Sequence, residues 1–148
     1  LLFLFLSSCG YEATYSLKNR INYAFSISEL VLIGDRQVNI KIKHLLNSYT
    51  NPNIQEEKNF SLKITSNSEK IITVNDASGD ATKFKNEIAV NVQVFMNEKY
   101  KSSFVIEESF TYNNNSNTIE LRTYENQIKN NLAEAAVKKI LIKLAQIL

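Results

Sequence analysis

Apolar positions follow two rhythms along this chain, and the switches between them mark out its elements. From Ala24 to Ile33 they crowd together, with Ile27, Leu30, Val31, Leu32 and Ile33 filling the second half. A short run that is apolar on both faces suits a strand covered by a helix. Gly34-Asp35 breaks the run, and Asp35 can cap a following helix by accepting a bond from a free backbone amide. Val38, Ile42, Leu45, Leu46 and Tyr49 then recur at helical spacing, giving an amphipathic helix of about four turns. Asn51-Pro52 stops it, because proline disfavours helical geometry in the residue before it.

The rhythm then changes to two. Phe60, Leu62 and Ile64 alternate, and Ile72 and Val74 resume after the polar stretch Ser66–Lys70, as one irregular strand or two short ones across 58–75. Asn75-Asp76-Ala77-Ser78-Gly79-Asp80 reads as a turn. Ile88, Val90, Val92 and Val94 next share one face of a strand, with Ala89, Asn91, Gln93 and Phe95 on the other. Asn97-Glu98-Lys99 makes a hairpin loop into Ser103–Tyr112, where Phe104, Ile106, Phe110 and Tyr112 share a face. After an asparagine-rich loop, Asn113 to Asn117, helical spacing returns from about Leu121 to Ile147. Ile128, Leu132, Ala136, Ile140 and Leu144 form its stripe, widened by Ala133, Val137, Leu141 and Leu148. Glu134 and Lys138 stand in the favourable i,i+4 order on its polar side. The order β-α-β-β-β-α predicts an α+β fold over 23–148: an antiparallel or mixed sheet of about four strands with two helices on one face.

The first residues follow neither rhythm. Leu1-Leu2-Phe3-Leu4-Phe5-Leu6 runs into Ser7-Ser8 and then the chain's one cysteine, Cys9. An apolar core followed by small residues is how a secretory signal ends before its cleavage site. A thiol just after the small pair can be acylated and become the mature N-terminus. Leu6-Ser7-Ser8-Cys9 resembles the lipobox of bacterial lipoproteins, which implies that 1–8 is a signal-peptide remnant and Cys9 the lipidation site. The run is also far shorter than the roughly 20 residues a spanning helix needs. Residues 9–22, polar and without period, read as a lipidated N-terminus and tether with room for a short strand around Tyr11–Tyr15.

Charge and composition narrow the function. A net charge of +2 is too small to argue for nucleic acid. With Cys9 used by the anchor, no disulfide is possible, so the fold must rest on its core. His44, the single histidine, sits among lysines on a helix and reads as a solvated residue. Glu107 and Glu108, adjacent in a strand, point to opposite faces and cannot share a substrate. Gly-rich phosphate loops are absent from the sequence, and nothing in it suggests an enzyme, a cofactor or a metal.

The whole pattern resembles the lipopolysaccharide-assembly lipoproteins of the LptE type, in a small divergent form. The matching residues are Ser8-Cys9-Gly10-Tyr11, the unit Ile27–Tyr49, Asp76–Phe84 before the strand Glu87–Met96, Glu108–Tyr112, and a closing helix introduced by Arg122-Thr123-Tyr124-Glu125. The resemblance implies a non-enzymatic outer-membrane lipoprotein facing the periplasm. It would plug and help assemble a β-barrel partner of the LptD type and contact lipopolysaccharide during delivery to the surface. Gly10 after the cysteine fits outer-membrane sorting. A lipoprotein accessory of an ABC-type lipid transporter and a membrane-anchored enzyme are the rival readings.

Lipopolysaccharide presents phosphates beside acyl chains, so a binder wants cations next to apolar or aromatic groups. Two places offer this: Lys83-Phe84-Lys85 after the turn, and Arg122 with Tyr124 where the last helix begins. Lys83 and Lys85 share a face if the strand has already begun. The plainer reading is that these are solvated charges at element ends.

Overall fold

In a computed structural model that describes residues 24–50 and 58–147, strand β1 (Ser26–Gly34) turns directly into helix α1 (Arg36–Leu46). Gly34 makes the turn possible. Its φ is +106°, and a Cβ there would lie 1.9 Å from the Ser66 carbonyl oxygen. Asp35 then caps α1 through Val38 N at 2.9 Å. The apolar spacing of Val38, Ile42 and Leu46 places all three inward, fully buried. The helix is shorter than its sequence period suggests, because Asn47–Tyr49 tighten into a 3₁₀ turn.

Strand β2 (Asn59–Asn75) is one continuous strand of 17 residues, which settles the choice between one strand and two. Its polar middle is paired rather than broken. Ser66 Oγ donates to Asn39 Oδ1 at 2.7 Å, and Ser68 Oγ to Asp35 Oδ2 at 2.6 Å. Strand β3 (Ala81–Met96) and strand β4 (Lys99–Asn113) complete a sheet of order β1-β2-β3-β4. The first pair is parallel and the other two antiparallel, so of the two forms the element order allows, the sheet is the mixed one. The parallel pairing ends at Gly34↔Ser66, and from Asn67 onward β2 has only β3 beside it.

Two tight turns join the long strands. At Asp76–Asp80, Asp76 Oδ1 accepts from Ser78 N and Asp80 N, both at 2.9 Å. At the other end the hairpin closes on Asn97 and Glu98, with φ of 52° and 64°. Positive φ at both central residues is the mirror-type turn that matches strand twist. That leaves Lys99 in β4 rather than in the loop.

Helix α2 (Thr118–Gln146) begins a turn earlier than its apolar stripe shows. Asn117 Oδ1 caps it, accepting from Ile119 N at 3.1 Å and Glu120 N at 3.2 Å. The added turn buries nothing, so apolar spacing cannot reveal it. Twenty-nine residues at about 1.5 Å each give a helix of roughly 43 Å. No helix among the described residues is long and apolar enough to cross a membrane.

Both helices lie on one sheet face. Phe60, Leu62, Ile64, Ile88, Val90, Val92 and Val94 meet Ala133, Ala136, Val137, Ile140 and Leu144 there, within one buried cluster. Each Val, Leu, Ile or Phe among them contributes about 1.5–3 kcal/mol on full burial. The opposite face is open and mostly polar, with Lys63, Thr65, Asn67, Asn91 and Glu107 exposed. Val31 and Ile33 lie on it too, at 41% and 46% exposure. The doubly apolar run in β1 is therefore covered on one side only, since both helices occupy the other. The readings of 1–22 as leader and tether, including Cys9, lie outside the described residues, as do Asn51-Pro52 and Leu148.

Candidate functional site

Beyond Ser66 the sheet outruns β1 and α1, and α2 alone covers it. The interior changes character there. Asn86, in the inward row of β3, is buried, and the one Tyr112 hydroxyl proton is shared between Asn86 Oδ1 at 3.2 Å and Glu125 Oε1 at 2.7 Å. Lys70 pairs with the same Glu125 carboxylate and lies 4.0 Å from the centroid of Phe84. A second cross-element pair, Lys129 to Asp35 at 3.2 Å, lies farther along α2.

The titrations follow from this network. Burial raises the Tyr112 hydroxyl well above its ordinary value, and the neighbouring Glu125 adds to the shift. Burial alone would also raise Glu125, but hydrogen bonds from Lys70 and Tyr112 and the charges of Lys70 and Lys129 hold it low. Asp35 is depressed in the same way, with bonds from Ser68, Val38 and Lys129 outweighing its burial. Each charge is matched by an opposite one, so the network fixes α2 to the sheet and leaves no free charge for a ligand.

The candidate site lies beside this network and shares Tyr112 with it, in the crevice between β4 and the first half of α2. Two hollows of about 630 and 160 Å³ adjoin there. Phe110 and Tyr124 line both, at 47% and 44% exposure. Tyr124 meets the buried Tyr112 edge-on at 5.9 Å between centroids, which holds its ring in place. Asn113, Asn114, Asn115, Lys83 and Glu120 line the larger hollow, and Gln127 and Asn131 the smaller.

The four candidate ligand residues divide. Lys83 and Tyr124 both line the larger hollow. Lys85 does share the open sheet face with Lys83, but it pairs with Glu87 at 2.8 Å. Arg122 is exposed on α2 and lines neither hollow. Phe110 was legible only as an inward strand residue, and Asn113–Asn115 only as loop. Nothing local to either stretch indicates that α2 stops short of covering Phe110.

Other surfaces carry less. His44 is exposed and lines a shallow hollow of about 530 Å³ with Arg36, Ile40 and Lys41. Glu107 and Glu108 face opposite ways, and Glu108 pairs with Lys139 of α2. Among the described residues no three His, Cys, Asp or Glu side chains converge on a metal-sized space.

No family model matches the sequence, and no curated protein matches it. The fold does have relatives among solved structures. Rare lipoprotein B from Shewanella oneidensis superposes with a TM-score of 0.59 at 14% identity, over 80% of this chain and 95% of that one. A minor lipoprotein from Acinetobacter baumannii gives 0.60 at 10% identity, over 84% and 92%. Lipoprotein B from Nitrosomonas europaea gives 0.53 at 15% identity, over 85% and 88%. The chain thus shares the fold of rare lipoprotein B across four-fifths of its length.

Proposed function

We propose that this is a non-enzymatic outer-membrane lipoprotein, anchored through Cys9 on the periplasmic side. It plugs and helps assemble a lipopolysaccharide-translocating β-barrel of the LptD type and contacts lipopolysaccharide on the way to the surface. The observation that carries the reading is the fold shared with rare lipoprotein B, joined to the lipobox-like Leu6-Ser7-Ser8-Cys9. The open sheet face supports the plug role. Large barrels have polar interiors, and Lys63, Thr65, Asn67 and Asn91 offer a matching polar surface. Lys83 and Arg122, which have no ion-pair partner among the described residues, are the cations proposed to meet lipid phosphates, and Tyr124, which lines the larger hollow with Lys83, is the aromatic proposed to meet the lipid beside them. Acyl chains at Cys9 would contribute about 0.8 kcal/mol per buried methylene, and two or more chains make the anchor stable.

Two measurements test this. Metabolic labelling with an alkyne-tagged fatty acid should mark the wild-type protein and not Cys9→Ala; absence of label on the wild type sinks the lipoprotein reading. Affinity capture from envelope extract should bring down a large β-barrel. A permease in its place would move the protein to the ABC-transport reading.

A further inference from the structure

We infer that the crevice between β4 and α2 is a carbohydrate groove, in which a pyranose ring stacks on Phe110 and Tyr124 while flanking amides hold its hydroxyls. The larger hollow, about 630 Å³, falls in the size range of small-ligand sites, which pair apolar walls with a few placed polar groups. Phe110 and Tyr124 are the two side chains common to both hollows. Large aromatics left half exposed gain from an apolar surface laid against them, and one side of a pyranose ring is a sheet of C–H groups. Its rim carries hydroxyls that both donate and accept.

The amides match that rim. A primary amide has two donors and an acceptor. Asn113, Gln127 and Asn131 make no side-chain hydrogen bond among the described residues, so their full capacity is open to a ligand. Asn114 is anchored through Nδ2 to the Ala81 carbonyl at 2.8 Å, which leaves its Oδ1 to accept.

Charge selects against the alternatives. Lys83 and Glu120 are the charged residues lining the crevice, one of each sign, and Arg122 is not among the lining residues. A phosphate would need a surplus of cations. An acyl chain would bury these amides unbonded, which is unfavourable. A neutral sugar meets neither obstacle. The source of the sugar rests on the envelope reading above: the glycan portion of lipopolysaccharide, or the N-acetylated glycan strands of the cell wall.

The test uses the full chain in detergent, titrated calorimetrically with two probes. One is lipopolysaccharide-derived oligosaccharide stripped of acyl chains and phosphates; the other is a soluble N-acetylated glycan fragment. Saturable binding of either probe is expected, and the responding probe identifies the source. Tyr124→Ala and Phe110→Ala should each weaken it by about tenfold or more, whereas Tyr124→Phe, which keeps the ring face, should bind as wild type. If an alanine variant fails to fold, Gln127→Ala with Asn131→Ala, both exposed, should give the same loss. Affinity unchanged in these variants overturns the assignment. So does competition by an extended peptide with no effect of Tyr124→Ala, which would give the crevice to strand addition at the edge of β4. Failure of both probes while intact lipopolysaccharide still binds removes the groove and keeps the lipid-delivery reading. Sugar binding without barrel capture does the reverse.

Discussion

The two ends of this molecule share one sheet and one long helix, yet they are built on different physics. At the α1 end the interior is dry: Ile27, Val38, Ile42, Leu46, Phe60, Ile64, Val90, Val92, Ala133, Ala136, Ile140 and Leu144 are all inaccessible to solvent. At the α2 N-terminal end the inward rows of the sheet carry Asn86 and Tyr112, hydrogen-bonded in one network with Glu125 of α2, and aromatics stand half exposed around it. The first end gains its stability from close packing. The second exchanges packing for a paired polar interior and an open crevice. The difference comes from coverage, since β1 and α1 stop where Gly34 meets Ser66 and the longer strands continue.

Substitutions should separate the two ends. The largest effect is expected from Ala133→Glu, which puts an unpaired carboxylate among fully buried aliphatic groups. Such a change costs roughly 3–5 kcal/mol, a large part of a domain's total stability. A denaturant midpoint within error of wild type would show that the dry end is not dry. Gly34→Ala comes next at about 3 kcal/mol, because a left-handed φ and a backbone clash with Ser66 act together. If Gly34→Ala melts like wild type, the parallel junction of β1 and β2 is wrongly placed.

Val92→Ala and Leu132→Ala grade the boundary, at roughly 1–4 kcal/mol each. Val92 lies deep in the dry end, whereas Leu132 is 8% exposed and lines the smaller hollow. Water can partly refill the space beside Leu132, so its loss should be the smaller relative to the volume removed. Equal loss per methylene in chemical denaturation would erase the contrast.

The smallest effect concerns acid. Glu125 is depressed in the folded state despite its burial. The stability it contributes is present above the ordinary glutamate range and is lost as pH falls through the lowered folded value. Lys70 is partly exposed, so the gain is screened and modest. Melting temperatures in a low-salt pH series should therefore fall less steeply in acid for Glu125→Gln than for wild type. Parallel slopes would mean that the network does not tie α2 to the sheet.

Much of the fold was legible along the chain. Alternation placed Ile88 to Val94 inward, and helical spacing placed Val38, Ile42 and the α2 stripe, because which face a residue occupies depends on its near neighbours. The Asp35 cap and the turn before Ala81 were legible for the same reason. Unity of β2 was not, since Ser66, Ser68 and Lys70 read as a polar break and are satisfied by Asn39, Asp35 and Glu125 from both helices. The candidate site was legible only in part. Lys83 and Tyr124 stood out as a cation and an aromatic at element ends, whereas Phe110 looks in its own strand like a residue that ends up buried, and it lines one crevice with Tyr124 only because α2 outruns α1 across the sheet. Periodicity is a local property of the chain and determined the elements and their inward faces. Coverage depends on where distant elements stop, and that was decided only when the helices packed on the sheet.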